Sequence, residues 1–217
     1  YNVSSIEIVA HRSVWSAIFL FLYLYFFLGL NRRFFLIGLN ELGLLFLAGI
    51  LIAINWYGFI YAVTSGNALQ ASLGYYIFPI VAVFLGIVFK REKFTIIQTL
   101  AICLVIIAVV SLIYMNGEVP GLALILAFSF GFYGLIKSTV KLNPISSVAY
   151  ETILITPLVI IVMIFFTEPT LNRENIFADS TLILLIFSGL ITAVPLVLFS
   201  SGTKVFSYAT VGLVQYL

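Results

Sequence analysis

Apolar runs of about 20 residues, broken by short polar turns, follow one another along the whole chain. They lie at Ile8–Leu30, Leu42–Val63, Ala71–Phe89, Phe94–Met115, Pro120–Lys137, Ile145–Phe166 and Thr181–Ser201, and an eighth begins near Tyr208 and continues to Leu217. The seven full runs are each long enough to cross a bilayer as an α-helix. Helix is the form expected because lipid offers backbone N–H and C=O groups no other partner. The connections are short, which predicts antiparallel neighbours. Only Thr167 to Ser180 is longer, and its Pro169, Asn172 and Asn175 predict a plain loop. The stretch from Asn55 to Glu92 organises the rest. One apolar run carries Asn55, Trp56 and Tyr57 to a polar turn at Thr64–Asn67, and a second carries Tyr75, Tyr76 and Pro79 to the basic cluster Lys90, Arg91 and Lys93.

Composition turns this pattern into a fold class. Of 217 residues, 63% are hydrophobic and 8% charged, against roughly 25% charged in a soluble domain. Water cannot be the solvent for that much apolar surface, so the expected class is an all-α polytopic membrane protein. The net charge of +2 adds nothing by itself. The basic residues sit in short clusters between apolar runs, which argues against a nucleic-acid partner. Cys103, in an apolar run, is the only cysteine. It excludes an intrachain disulfide and is expected to be a small packing residue. The opening YNVSSIEIVAHR has no basic leader and no cleavage site, so no signal peptide is expected there.

The placement of charge predicts orientation. Alternate crossings put Arg32, Arg33, Lys90, Arg91, Lys93, Lys137, Lys141 and Lys204 on one face and Arg173 on the other, with Arg12 inside a span. The basic face is therefore expected to be cytoplasmic, and the KREK cluster is a topology signal. The chain then begins outside, and one crossing is expected before it. An internal repeat agrees. At an offset of 140, Leu44-Leu45 meet Leu184-Leu185, and Gly49, Ala53 and Phe59 meet Gly189, Ala193 and Phe199. Leu73 and Tyr76 meet Leu213 and Tyr216, and His11 falls opposite Glu151. Five crossings fit one period, an odd number, so the second copy enters the membrane inverted, as in many secondary transporters. Residues 1–115 are then a first repeat lacking its first helix, and 116–217 a second lacking most of its fourth helix and all of its fifth.

Polar groups inside the spans are the candidate chemistry. Arg12 is costly in lipid. It is expected either to anchor at the headgroups or to face a cavity and bind an anionic substrate group. His11 points about 100° away from it and is a second titratable candidate. Glu151 lies about two turns into its span, which carries no basic residue of its own. It is expected to face the interior, as a reversible proton or cation site or as a tether reached by Lys137 or Lys141. Asn55 is expected either to bond a neighbouring helix or to touch substrate. Opposite it in the repeat, Pro195 is expected to break its helix locally. Trp56, Tyr75, Tyr76, Tyr133, Gln215 and Tyr216 are candidates to line an aromatic, amide-rich cavity, although Trp and Tyr also populate interfacial belts. Gly58/Ala62 and Gly131/Gly134 are expected to permit close helix contact.

The inventory ranks the functions. A solute transporter working by alternating access leads, with a small-molecule substrate and the lipid bilayer as partners. An intramembrane enzyme is disfavoured. His11 is the only histidine and Asp179 the only aspartate, so no zinc helix and no aspartyl dyad can be written. No cofactor or metal is called for. A non-transporting scaffold or receptor remains, and a channel has no ring of like charges to support it.

Several motifs carry a resemblance to a known family. HRSVW (His11–Trp15), NWYGFIYAV (Asn55–Val63), ASLGYYIFP (Ala71–Pro79), the KREKF turn, LAFSFGFYGLIK (Leu126–Lys137), YET (Tyr150–Thr152), ITAVP (Ile191–Pro195) and VQY (Val214–Tyr216) resemble the RarD-type proteins of the EamA branch of the drug/metabolite transporter superfamily. The resemblance covers nearly the whole chain. It implies ten helices as two inverted repeats of five, a multi-pass place in the bacterial inner membrane, and export or exchange of small metabolites or drugs. Members are often labelled chloramphenicol-sensitivity proteins. Against that pattern, the first helix, most of the ninth and all of the tenth are absent here.

The orientation is testable in a Cys103→Ser background. A cysteine placed at Asn116 should label with an impermeant maleimide from outside, and one at Arg91 should not. Labelling at position 91 with position 116 silent contradicts the topology.

Overall fold

The computed structural model describes residues 3–28, 37–93, 96–116, 120–167 and 181–216. The elements in them are helical: α1 (Ser5–Tyr23), running into a π-helical turn (Leu24–Leu28); α2 (Leu39–Thr64); α3 (Ala68–Lys90); α4 (Ile96–Asn116); α5 (Gly121–Thr139); α6 (Pro144–Phe166); α7 (Thr181–Val205); and α8 (Tyr208–Leu213), ending in a 3-10 turn (Val214–Tyr216). Among the described residues, six helices (α1 with its π turn, α2, α3, α5, α6 and α7) are long and apolar enough to cross a membrane. The apolar α4 adds 21 residues. This is an all-α multi-pass membrane protein. Arg32, Arg33, Gly117, Arg173, Asp179 and the loop prolines and asparagines Pro169, Asn172 and Asn175 lie outside the described residues.

Several helix ends differ from expectation by about a turn, among them the start of α1 and the end of α7. α1 begins at Ser5 because Ser4 and Glu7 close a capping box, with Ser4 Oγ accepting from the Glu7 N–H and Glu7 Oε2 from the Ser4 N–H, both at 3.2 Å. That satisfies two of the donors a helix start leaves open. α7 runs one turn past Ser201 to Val205, and it passes through Pro195 without a break. The expected interruption there is corrected. Proline removes one N–H, but in lipid the freed backbone finds no competing partner, so the helix is kept.

The chain divides into two compact units, Tyr1–Ala53 with Thr139–Ser201, and Ile54–Ser138 with Gly202–Leu217. In the first, α1 packs along α6, and two glycines let backbones approach. A Cβ on Gly189 of α7 would lie 2.4 Å from Trp15 Cβ and 2.7 Å from the Ser16 nitrogen. A Cβ on Gly49 of α2 would lie 2.9 Å from the Glu151 carbonyl oxygen and 3.0 Å from Ile155 Cβ. Ser16 Oγ donates to the Gly189 carbonyl at 2.9 Å and pins the first crossing.

In the second unit α8 packs along α3. Gly212 approaches Ala82 to 2.6 Å from a would-be Cβ, and Gly131 of α5 approaches Val81 Cγ1 equally closely at 2.6 Å. Phe78 and Phe130 meet edge-on, their ring centroids 4.8 Å apart. Of the expected small-residue contacts, Gly131 and Gly58 are seen in use, Gly58 lying 3.2 Å by its would-be Cβ from Leu126 Cδ2.

Adding volume at the tight glycines should cost stability in proportion to the overlap. Gly189→Ala is expected to lower stability by about 1–3 kcal/mol. Gly43→Ala, at a position with open space around it, should be neutral or stabilising because alanine is the better helix former. Thermal unfolding in detergent checks both. Equal losses at the two positions contradict the packing.

Candidate functional site

The charged candidates His11, Arg12 and Glu151 all fall in the first unit. Arg12, half-buried one turn before the α1–α7 crossing, donates from Nε to Thr192 Oγ1 at 2.8 Å. The Thr192 hydroxyl donates onward to the Ser188 carbonyl at 2.6 Å. That relay holds the guanidinium by one edge against α7. His11 is half-buried beside it. Glu151 is fully buried on α6, where its carbonyl meets Gly49. Between the later halves of α1 and α7 lies an apolar cavity of about 500 Å³. Phe19, Leu20 and Tyr23 line it from α1, Phe26 and Phe27 from the π turn, and Ala193, Val194 and Val197 from α7.

The aromatic and amide candidates all fall in the second unit. Asn55 is buried, and its Nδ2 donates to the Leu126 carbonyl at 2.9 Å and to Ser129 Oγ at 3.2 Å. Its amide therefore clasps α2 to α5. Trp56 is buried on the same helix. Tyr75 meets Phe59 edge-on at 5.6 Å. Tyr133 is fully buried, stacked on Phe130 at 5.7 Å, with Lys137 Nζ 5.7 Å from its ring centre. Tyr76 is 62% exposed, and what joins it to Tyr216 is the Tyr216 hydroxyl donating to the Tyr76 carbonyl at 2.6 Å. Gln215 is exposed.

A third cluster ties the turn after α3 to the start of α8. Arg91 is left-handed, with φ of 54°, so the chain reverses and the Glu92 N–H closes on the Gly86 carbonyl at 3.1 Å. Glu92 then accepts from the Tyr208 N–H at 2.7 Å and the Ala209 N–H at 2.9 Å. A carboxylate at a helix start meets open donors and the positive end of the dipole. Gly86 leaves room for that carboxylate, since a Cβ there would lie 2.7 Å from Glu92 Oε2 and the side chain would have to shift. Lys204 Nζ donates to the Lys137 carbonyl at 2.7 Å and Lys90 Nζ to the Ser138 carbonyl at 3.2 Å. The buried Tyr208 hydroxyl donates to the Gly131 carbonyl.

Residues 1–114, more than half the chain, match the EamA-like transporter family. The chain belongs to that family. It is 38% identical to the uncharacterized transporter YojE of Bacillus subtilis, with all of this chain and 73% of that protein aligned. It is 33% identical to protein RarD of Escherichia coli, over all of this chain and 74% of that protein. Protein RarD of Streptomyces exfoliatus is 35% identical, over 98% of this chain and 68% of its own. No solved structure matches.

In this EamA-family chain several working residues escaped the sequence reading. Ser16 gave no signal beyond being polar within a span, and Thr192 none beyond its place in the ITAVP motif. Gly189 did, through its match to Gly49 in the repeat. Glu92 was absorbed into the KREK topology signal, yet it is the only acidic member of that cluster and the only one turned to capping.

Two substitutions separate the capping role from charge alone. Glu92→Ala should lower stability by about 0.5–2 kcal/mol, the usual cost of a lost cap. Arg91→Gly should leave stability unchanged or raise it, since glycine adopts the left-handed conformation without penalty. A loss at Arg91→Gly matching that at Glu92→Ala would mean that the cluster acts through its charges, not through its turn.

Proposed function

We propose that this chain is the membrane-spanning body of a secondary transporter that exports or exchanges small metabolites or drug-like amphiphiles across a bacterial inner membrane by alternating access. Family membership frames the reading. The observation that carries it is the pair Arg12 and Glu151, ionisable side chains held inside apolar spans of one unit, the second fully buried. Such groups are expensive in a membrane and mark solute or proton pathways. In this reading Glu151 is the proton site, whose occupancy biases the inward- and outward-open states. A scaffold would have little use for either charge.

The two halves are inverted repeats in this reading, and three features support that. Helix starts recur at spacings of 139, 142 and 140, pairing Ser5 with Pro144, Leu39 with Thr181 and Ala68 with Tyr208. The glycine crossings correspond, because Gly49 on Ile155 and Gly189 on Trp15 exchange under a shift of 140. The helices that pack along each other, α1 with α6 and α3 with α8, are repeat mates. Tyr76 and Tyr216, bonded to each other across 140 residues, are mates as well.

Reconstitution in liposomes tests the coupling. Glu151→Gln mimics the protonated carboxyl, so it should keep substrate exchange and lose flux driven by a pH gradient. Screening amino acids and drug-like amphiphiles supplies the substrate for that assay. An unchanged pH profile in Glu151→Gln contradicts the proton role, and no flux of any solute contradicts transport.

A further inference from the structure

We propose that Glu92 is a latch of the transport cycle, at the basic end of the second unit. Its carboxylate holds the start of α8 against the end of α3 while that end is shut, and releases it when that end opens. The inference rests on the transporter reading for why the end must open, and on the contacts there for what lets go.

α8 and its 3-10 turn meet α3 at three levels. Glu92 accepts from the Tyr208 and Ala209 N–H groups at 2.7 and 2.9 Å. About one turn on, Gly212 packs closely, since a Cβ there would lie 2.6 Å from Ala82 Cβ and 3.5 Å from Pro79 Cα. One turn further, the Tyr216 hydroxyl donates to the Tyr76 carbonyl at 2.6 Å. The middle contact is tight packing with no long side chain to swing away. Pro79 also weakens the α3 ladder at that point, so the crossing serves as a fulcrum. At the basic end, by contrast, every bond to α8 or its approach is made by one side chain on backbone. Glu92 reaches from the turn after α3, the Tyr208 hydroxyl reaches the Gly131 carbonyl, and Lys204 Nζ reaches the Lys137 carbonyl. Tyr208 and Ala209 are buried there, so parting this end uncovers them.

Release leaves neither side bare. α8 has a cap of its own, because Ser207 Oγ accepts from the Thr210 N–H at 3.3 Å. Glu92 is therefore not needed to start the helix. The freed carboxylate stays in a turn with Lys90, Arg91 and Lys93, and the last two are exposed. Charge-assisted bonds to these neighbours offset the lost amides. Arg91 itself holds φ at 54°, a conformation costly for a residue other than glycine and concentrated at switch regions. A carboxylate with two alternative sets of partners is a two-state element.

Ala209 lies beside Gly86 in the shut end. In a Cys103→Ser protein in nanodiscs, a cysteine replacing Ala209 should react with a water-soluble maleimide only through the open form. Glu92→Ala should speed that reaction about 2- to 30-fold, the equilibrium factor for a lost cap. If that variant does not fold, Glu92→Gln, which keeps one acceptor and the side-chain volume, should speed it by less. A cysteine replacing Ala71, buried at the other end of α3, should not speed up in either variant, which separates unlatching from a general loss of stability. Lys93 and Phe206 are exposed on either side of the latch. Cysteines at these two positions, bridged by a short bis-methanethiosulfonate, should stop flux in the liposome screen of amino acids and drug-like amphiphiles, and reduction should restore it. A rate at position 209 indifferent to the Glu92 variants, an equal rise at position 71, or a bridged protein that moves solute as fast as the unbridged one overturns the latch. Labelling that responds as expected, with no flux of any solute before bridging, overturns the transporter reading and leaves the latch standing. Flux with no response at position 209 does the reverse.

Discussion

A helix surrounded by lipid gains nothing by turning an apolar side chain toward another helix, because the acyl chains are equally apolar. What remains is close approach, through dispersion contacts and bonds between polar groups. The fold depends on this constraint, and glycine is how it is met. At Gly189 and Gly49 the absent side chain brings one backbone onto another helix within what would be hard overlap for any other residue. Position 86 shows the same logic at the end of α3, where the vacant Cβ site is filled by the carboxylate that caps α8.

Polar groups within the spans are handled in a related way. Asn55 bonds a main-chain carbonyl and a serine of another helix. Lys204 and Lys90 bond main-chain carbonyls near the end of α5. Glu92 bonds main-chain amides. Each pairs a long or amide side chain with backbone left open at or near a helix end or exposed by a close crossing. Arg12 bonds a side-chain hydroxyl that itself donates to a carbonyl of its own helix.

The helices were legible because each span is a predominantly apolar run between turns. α6 and α7 begin within a residue of their expected starts, at Pro144 and Thr181. The start of α1 was readable too, from the Ser4 and Glu7 spacing of a capping box, but apolar length alone placed it later. Asn55 could be recognised as a buried polar group. Its partner could not, because Leu126 is 71 residues away. The aromatics were the least legible. Tyr133 is fully buried and Tyr76 largely exposed, yet both are tyrosines within apolar runs, and apolar periodicity carries little information when lipid and protein interior have the same polarity. Glu92 was hidden differently, since its role needs a helix start 116 residues further on.

The two halves of the chain are proposed to enter the membrane in opposite senses. Asn67 and Ser207 are the N-cap positions of α3 and α8 and correspond under the proposed repeat. The most direct measurement is the sidedness of single cysteines at these two positions in a Cys103→Ser protein, labelled with an impermeant maleimide from each face of oriented vesicles. The account predicts labelling of position 67 from outside only and of position 207 from the cytoplasmic side only. Labelling of both from the same side would contradict it.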